Sequence, residues 1–139
     1  EGYLYKDERT NTVQVFPDMA EAPEDASFIK TIYTPSAVAG EYTLLTVELV
    51  TGKTHQIRAH LAYLGKPVLG DIKYGNRKMN ERTGTKTQAL CAVRITFREI
   101  PEENTLHCLS GKVIKLKDPQ IVKQFDALDK TKPDPAKGE

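Results

Sequence analysis

No apolar run in this 139-residue chain approaches the roughly 20 residues that a membrane-spanning helix needs. No signal peptide is visible, and the first residue is Glu1 rather than Met, which points to a piece of a longer protein. Cysteine is scarce. Cys91 and Cys108 lack metal-ligand spacing and read as free thiols of a reducing, cytoplasmic compartment, with a disulfide as the lesser alternative. Histidine is scarce too: His55 and His60 are five apart, about 140° around a helix, with no acid beside them. One ion cannot take both as it would an i, i+4 pair, so no zinc site is expected. Internal repeats and low-complexity tracts are absent.

What remains is an ordinary soluble composition, 39% hydrophobic and 28% charged, on a length that suits one domain or part of one. The net charge of +1 conceals an uneven distribution. Residues 51–98 hold ten Lys or Arg against Asp71 and Glu81, a net of +8, which leaves −7 for the remainder. A basic segment in a nearly neutral chain is the footprint of phosphate contact, or else a solvated face balanced elsewhere in the fold.

Residues 1–16 read as a hairpin and 17–27 as a solvated loop. A strand follows over 28–33, then a turn over 35–40, and then the clearest strand, Tyr42 to Leu49. Residues 72–87 read as a long basic loop, and Gln88 to Arg98 as a further strand. Ser110-Gly111 suggests a hairpin joining 106–109 to 112–116. Asp118 and Pro119 suggest the cap and first residue of a short helix.

The densest chemistry lies in Thr51-Gly52-Lys53-Thr54-His55-Gln56-Ile57-Arg58-Ala59-His60, at a strand-to-helix junction. Gly52 is expected at the turn, Thr54 as N-cap, Ile57, Leu61 and Leu64 as the apolar stripe, and Gly65 as the C-terminal stop. The Arg58 guanidinium offers a planar fork suited to a carboxylate or a phosphate. Lys53, Thr54, Lys73, Arg77 and Lys78 flank the motif where polar and cationic groups can reach RNA phosphates. His60 reads as a structural histidine, and His55 as fixing the turn or touching RNA.

Thr51 to Leu61, then Leu64-Gly65-Lys66-Pro67-Val68-Leu69-Gly70-Asp71 and Tyr74-Gly75, resembles the signature of RluA-type RNA pseudouridine synthases. That family reads TGRTHQIRVHLA, then LGHPIxGDxxYG. Lys53 stands for the usual Arg, Ala59 for Val and Lys66 for the frequent His. The resemblance implies an α+β catalytic domain with a mixed, mostly antiparallel sheet and a few helices. It implies cofactor-free isomerisation of uridine in structured rRNA or tRNA. Arg58 would pair with the catalytic aspartate, and Leu90 would line the uracil pocket, with His55 and Gln56 also at the substrate. Cys91, beside Leu90, stands where the family often has His. Gly70, Asp71, Tyr74 and Gly75 would be scaffold.

Two family segments are not found: the HRLDxxTSG-like stretch with the nucleophilic aspartate, and the KxYxA-like tyrosine. Residues 1–128 are therefore expected to be the C-terminal portion of a catalytic domain, and 129–139 a flexible tail. Such a piece would form one wall of the site without turning over substrate alone. An exposed sheet edge would invite self-association. A non-catalytic RNA-binding module is the alternative, and an anion nest at the Gly52 turn a weaker third.

Overall fold

A computed structural model describes residues 1–128; the tail expected over 129–139 lies outside them. The chain divides into two compact units, Glu1–Ala89 and Leu90–Ala127, where the sequence suggests one continuous portion. Both are built from short antiparallel strands and helices, an α+β architecture. Every strand pairing among the described residues is antiparallel.

In the first unit β1 (Gly2–Asp7) pairs with β2 (Thr12–Phe16), the expected hairpin. β3 (Ser27–Ile29) joins the other side of β1, giving the order β2-β1-β3. Leu4, Val13 and Ile29 bury their side chains from one strand each, and Ala59 closes the cluster from the helix above. A residue as small as alanine at that contact lets the helix axis approach the sheet closely.

At Lys30 the chain leaves this sheet and forms a two-stranded arm, β4 (Thr31–Ala39) and β5 (Tyr42–Leu49). β5 lies where expected. β4 runs on through Pro35, where a turn is expected, because the register shifts between Pro35 and Ala37. A bulge accommodates a residue that has no amide hydrogen for the ladder.

The motif helix α1 (Gln56–Tyr63) starts one residue later than a Thr54 cap would place it. The left-handed residue at its start is His55, with φ 56°, and not Gly52. The buried positions are Gln56, Ala59, His60 and Leu61, so the inward face is half polar; of the expected apolar stripe Leu61 is buried and Leu64 is exposed. Its C-terminus matches the sequence reading. Gly65 is left-handed (φ 72°), its amide bonds Ala62 O at 3.0 Å, and the Lys66 amide bonds Leu61 O at 2.9 Å, a Schellman stop.

The expected basic loop contains a helix, α2 (Arg77–Thr83). Asn76 caps it by accepting from the Met79 amide at 3.1 Å, and Gly84 ends it at φ 66°. Arg82 reaches the tip of the arm, donating to Glu41 and, at 2.8 Å, to the Tyr42 hydroxyl.

In the second unit the strand expected over 88–98 shrinks to β6 (Arg94–Thr96). β7 (Val113–Lys115) pairs with β6 and not, as the expected hairpin has it, with residues 106–109, which hold a short 3-10 turn at His107–Leu109. α3 (Gln120–Asp126) follows, with Pro119 at the cap position and no side-chain cap bond. No described helix is long and apolar enough to cross a membrane.

Two glycines test how the junction is held. Gly65 has open space around a would-be Cβ, so Gly65→Ala adds only left-handed strain, about 1 kcal/mol. At Gly70 (φ 75°) the same carbon would sit 2.0 Å from the Thr87 carbonyl oxygen. Gly70→Ala should therefore lose about 3 kcal/mol or more in urea unfolding. Equal losses for the two would refute the packing described here.

Candidate active site around Arg58

Gln56 anchors the start of α1. Its Oε1 accepts from the Lys53 amide (2.9 Å) and the Thr51 hydroxyl (3.0 Å), while Nε2 donates to Thr31 Oγ1 (2.9 Å) and Lys30 O (3.3 Å). Two donors and two acceptors are all that a carboxamide has. At 2% exposure, Gln56 fastens the helix to the crossing between β3 and β4 and has nothing left for a substrate, which corrects its expected place in a pocket. One turn on, His60 is 3% exposed and its Nδ1 meets the Tyr33 hydroxyl at 3.0 Å, the structural histidine the sequence suggests. Burial pushes His60 toward its neutral form.

These two fixings set the rotation of α1 and hence the direction of Arg58. The sequence expects a partner acid from outside the chain; the structure supplies one within it. Arg58 Nε donates to Asp71 Oδ2 at 2.7 Å and Nη2 to Oδ1 at 2.9 Å, a bidentate side-on pair. Asp71 is 1% exposed, and Oδ1 also accepts the amides of Lys73 (2.8 Å) and Tyr74 (3.0 Å). The hydrogen bond from Arg58 holds its carboxyl down at about pH 2 against an ordinary 3.8, and the two amides act in the same direction.

The turn around Asp71 explains the expected scaffold. Gly75 lacks a Cβ that would otherwise lie 1.9 Å from Asp71 O. Asn80 ties the turn to α2, accepting from the Gly70 amide (2.8 Å) and donating to Asp71 O (3.1 Å).

The side-on pair leaves Nη1 of Arg58 without a partner among the described residues. No buried side-chain nitrogen or oxygen there lacks a hydrogen bond, so Nη1 must reach solvent. The guanidinium, 16% exposed as a side chain, therefore presents one fixed donor edge outward.

Tyr74, read from sequence as scaffold, is the hub of the surface around that edge. The Arg58 guanidinium carbon sits 5.1 Å from its ring centroid and Lys73 Nζ 5.6 Å, and the His55 ring stands edge-on at 5.6 Å. Its hydroxyl takes the Val13 amide (3.2 Å) and lies 3.0 Å from His55 Nδ1. His55, Arg58 and Lys73 thus converge on one ring. The remaining expected residues of the first unit do not join them. Lys53 and Thr54 are exposed beside Lys6, Glu8 and Asp25 in a depression of mixed charge. Arg77 pairs with Glu81 at 2.8 Å along α2 and lines a second basin with Lys86 and Asn80, and Lys78 is exposed. Leu90 belongs to the second unit and is 37% exposed. No group of three metal-ligating side chains occurs among the described residues.

Residues 6–63 match the family model described as RNA pseudouridylate synthase. An uncharacterised RNA pseudouridine synthase of Chloroflexus aurantiacus is 48% identical over 60 residues, 43% of this chain and 19% of that protein. The ribosomal large subunit pseudouridine synthase D of Vibrio cholerae is 43% identical over 67 residues, covering 41% and 21%. Its namesake in Vibrio parahaemolyticus is 35% identical over 103 residues, covering 65% and 29%. The chain spans less than a third of the length of the curated relatives it matches. No solved structure matches it.

The Asp71 pair makes stability depend on acid. A carboxyl depressed on folding adds stability that is complete above its unfolded pKa, near 3.8, and is lost as pH falls toward 2. The loss should be about 2 kcal/mol. His55 and His60 are also depressed, by burial first, so a separate decline should set in below about pH 6.5. Thermal unfolding across pH 2–8 should show both steps, with the lower one missing in Asp71→Asn. An unchanged lower step in that variant would remove Asp71 as its source.

Proposed function

We propose that the chain belongs to the RluA-type RNA pseudouridine synthase family, and that the protein it comes from isomerises uridine to pseudouridine in structured ribosomal or transfer RNA. The reaction breaks the bond between uracil N1 and the ribose, turns the base, and forms a bond from C5, which gives up its hydrogen. The target base must first leave its stack, and a carboxylate nucleophile must detach the uracil.

The observation that carries the reading is the outward edge of Arg58. Asp71 takes Nε and one hydrogen of Nη2, so Nη1 is held in a fixed direction and is free to meet a second carboxylate. A guanidinium at that distance stabilises the ionised carboxylate, the form a nucleophile needs. The carboxylate itself would come from outside the described residues, as would the rest of the substrate pocket. We assign Lys73 and His55 to RNA contact at the same surface. Lys53, Thr54, Arg77 and Lys78 would contribute to backbone contact farther along, and Leu90 to the uracil pocket. The protein would work in the cytoplasm, where such RNA is found. The outer strands β2 and β3 are unpaired on one side among the described residues, the edge through which copies could associate.

A second reading has its own observation. Asp71 is the one described acid in contact with Arg58, and it is fully bonded. A chain with only that pair would hold RNA without changing it.

Tritium release from C5-labelled uridine in RNA separates the two. The full-length protein should release tritium, and Arg58→Lys, which keeps the charge but loses the fork, should cut turnover about 10²- to 10³-fold with RNA affinity nearly intact. The 139 residues alone should release none. Full activity in Arg58→Lys would sink the catalytic role, and turnover by the chain alone would sink the need for an outside nucleophile.

A further inference from the structure

The Tyr74 hydroxyl makes a bond that the chemistry of Arg58 does not require. It accepts the Val13 amide, and His55 Nδ1 is the single acceptor within reach of its own hydrogen among the described residues. If the hydroxyl gives that hydrogen to Nδ1, the imidazole hydrogen lies on Nε2. Nε2 has no partner among the described residues and, since no buried nitrogen there lacks one, it reaches solvent. Burial, then the Arg58 and Lys73 charges, push the His55 pKa below its ordinary value, which favours the neutral ring near pH 7. Its backbone is left-handed at φ 56°, a conformation uncommon outside glycine and asparagine. Strain of this kind persists where the surroundings hold it in place.

The neighbourhood says what such a donor meets. Arg58 and Lys73 lie over the same Tyr74 ring, and the nearest carboxylate, Asp71, is already bonded on both oxygens. A donor in a positive field with no free local acid suits an anionic oxygen.

We propose that His55, held in one tautomer by Tyr74, donates its Nε2 hydrogen to a phosphodiester oxygen of the bound RNA, with Tyr74 acting as a positioning residue that touches no substrate. The assignment rests on the reading of this protein as RNA-binding, and it is tested by affinity rather than turnover.

Two substitutions separate a donor from a backbone device. The Gln carboxamide nitrogen falls near imidazole Nε2, whereas that of Asn falls near Nδ1; Asn, in turn, accepts the left-handed backbone better. In the full-length protein, His55→Ala and His55→Asn should each weaken binding to a uridine-containing RNA hairpin about ten-fold, and His55→Gln should recover most of it. Tyr74→Phe should give an intermediate loss, with the His55 ring nitrogens reporting a tautomer mixture by ¹⁵N NMR. Among hairpins carrying one methylphosphonate linkage each, one should bind wild type and His55→Ala equally. Recovery by Asn and not by Gln would overturn the proposal, as would a methylphosphonate series with no such position, or wild-type protein that binds no RNA. Wild-type binding without tritium release would instead count against the isomerase reading and not against His55.

Discussion

A carboxylate with almost no access to water, Asp71, fixes the functional face of the first unit. Left alone, a buried charge of that kind would be destabilising by several kcal/mol. Arg58 and two backbone amides remove that penalty, and each of them is constrained in return. The amides define the 71–75 turn, and the turn brings Asp71 O so close to residue 75 that only glycine fits there. The guanidinium is pinned at two nitrogens. Scaffold and site are therefore the same set of bonds, and a change that loosens the turn must also release the direction of Arg58.

The same economy governs α1. Its buried face carries Gln56 and His60, and both find partners in the strands beneath: Thr31 and the Lys30 carbonyl for one, Tyr33 for the other. A helix fixed by hydrogen bonds has less freedom of rotation than one resting on aliphatic side chains, since a few degrees of roll would leave buried donors unmet. That is what a residue such as Arg58, on the adjoining face, requires of its support.

This polar face also shows what was legible in the sequence and what was not. A stripe at Ile57, Leu61 and Leu64 follows from apolar periodicity, yet beside the buried Leu61 the helix also turned Gln56 and His60 inward and left Leu64 exposed, because periodicity counts only apolar residues. Local turn chemistry was readable: Gly65 stops α1, and the hairpin of β1 and β2 and the strand β5 fall where alternation puts them. α2 was hidden because it buries no residue and so has no hydrophobic rhythm; its Asn76 cap and Gly84 stop were its only marks. β4 was cut short in the reading because proline signals a turn more often than a bulge. At the site, Arg58 stood out from its motif, whereas its link to Asp71, thirteen residues on, and the gathering of His55, Arg58 and Lys73 around Tyr74 depend on tertiary approach that no local pattern encodes.

The choice of arginine at position 58 follows from the count of donors. A lysine could neutralise Asp71, but its single ammonium would be drawn to that carboxylate and have no separate edge with a direction of its own. Guanidinium offers five hydrogens in a plane, and a side-on pair uses two of them on one edge. The remaining edge faces away from Asp71 at an angle set by the plane, with no further side chain needed to aim it. One residue can then satisfy a buried acid and still present a rigid cationic edge to solvent. The bond to the buried acid and the edge turned to solvent do not compete at this position, because they use different nitrogens of the same group.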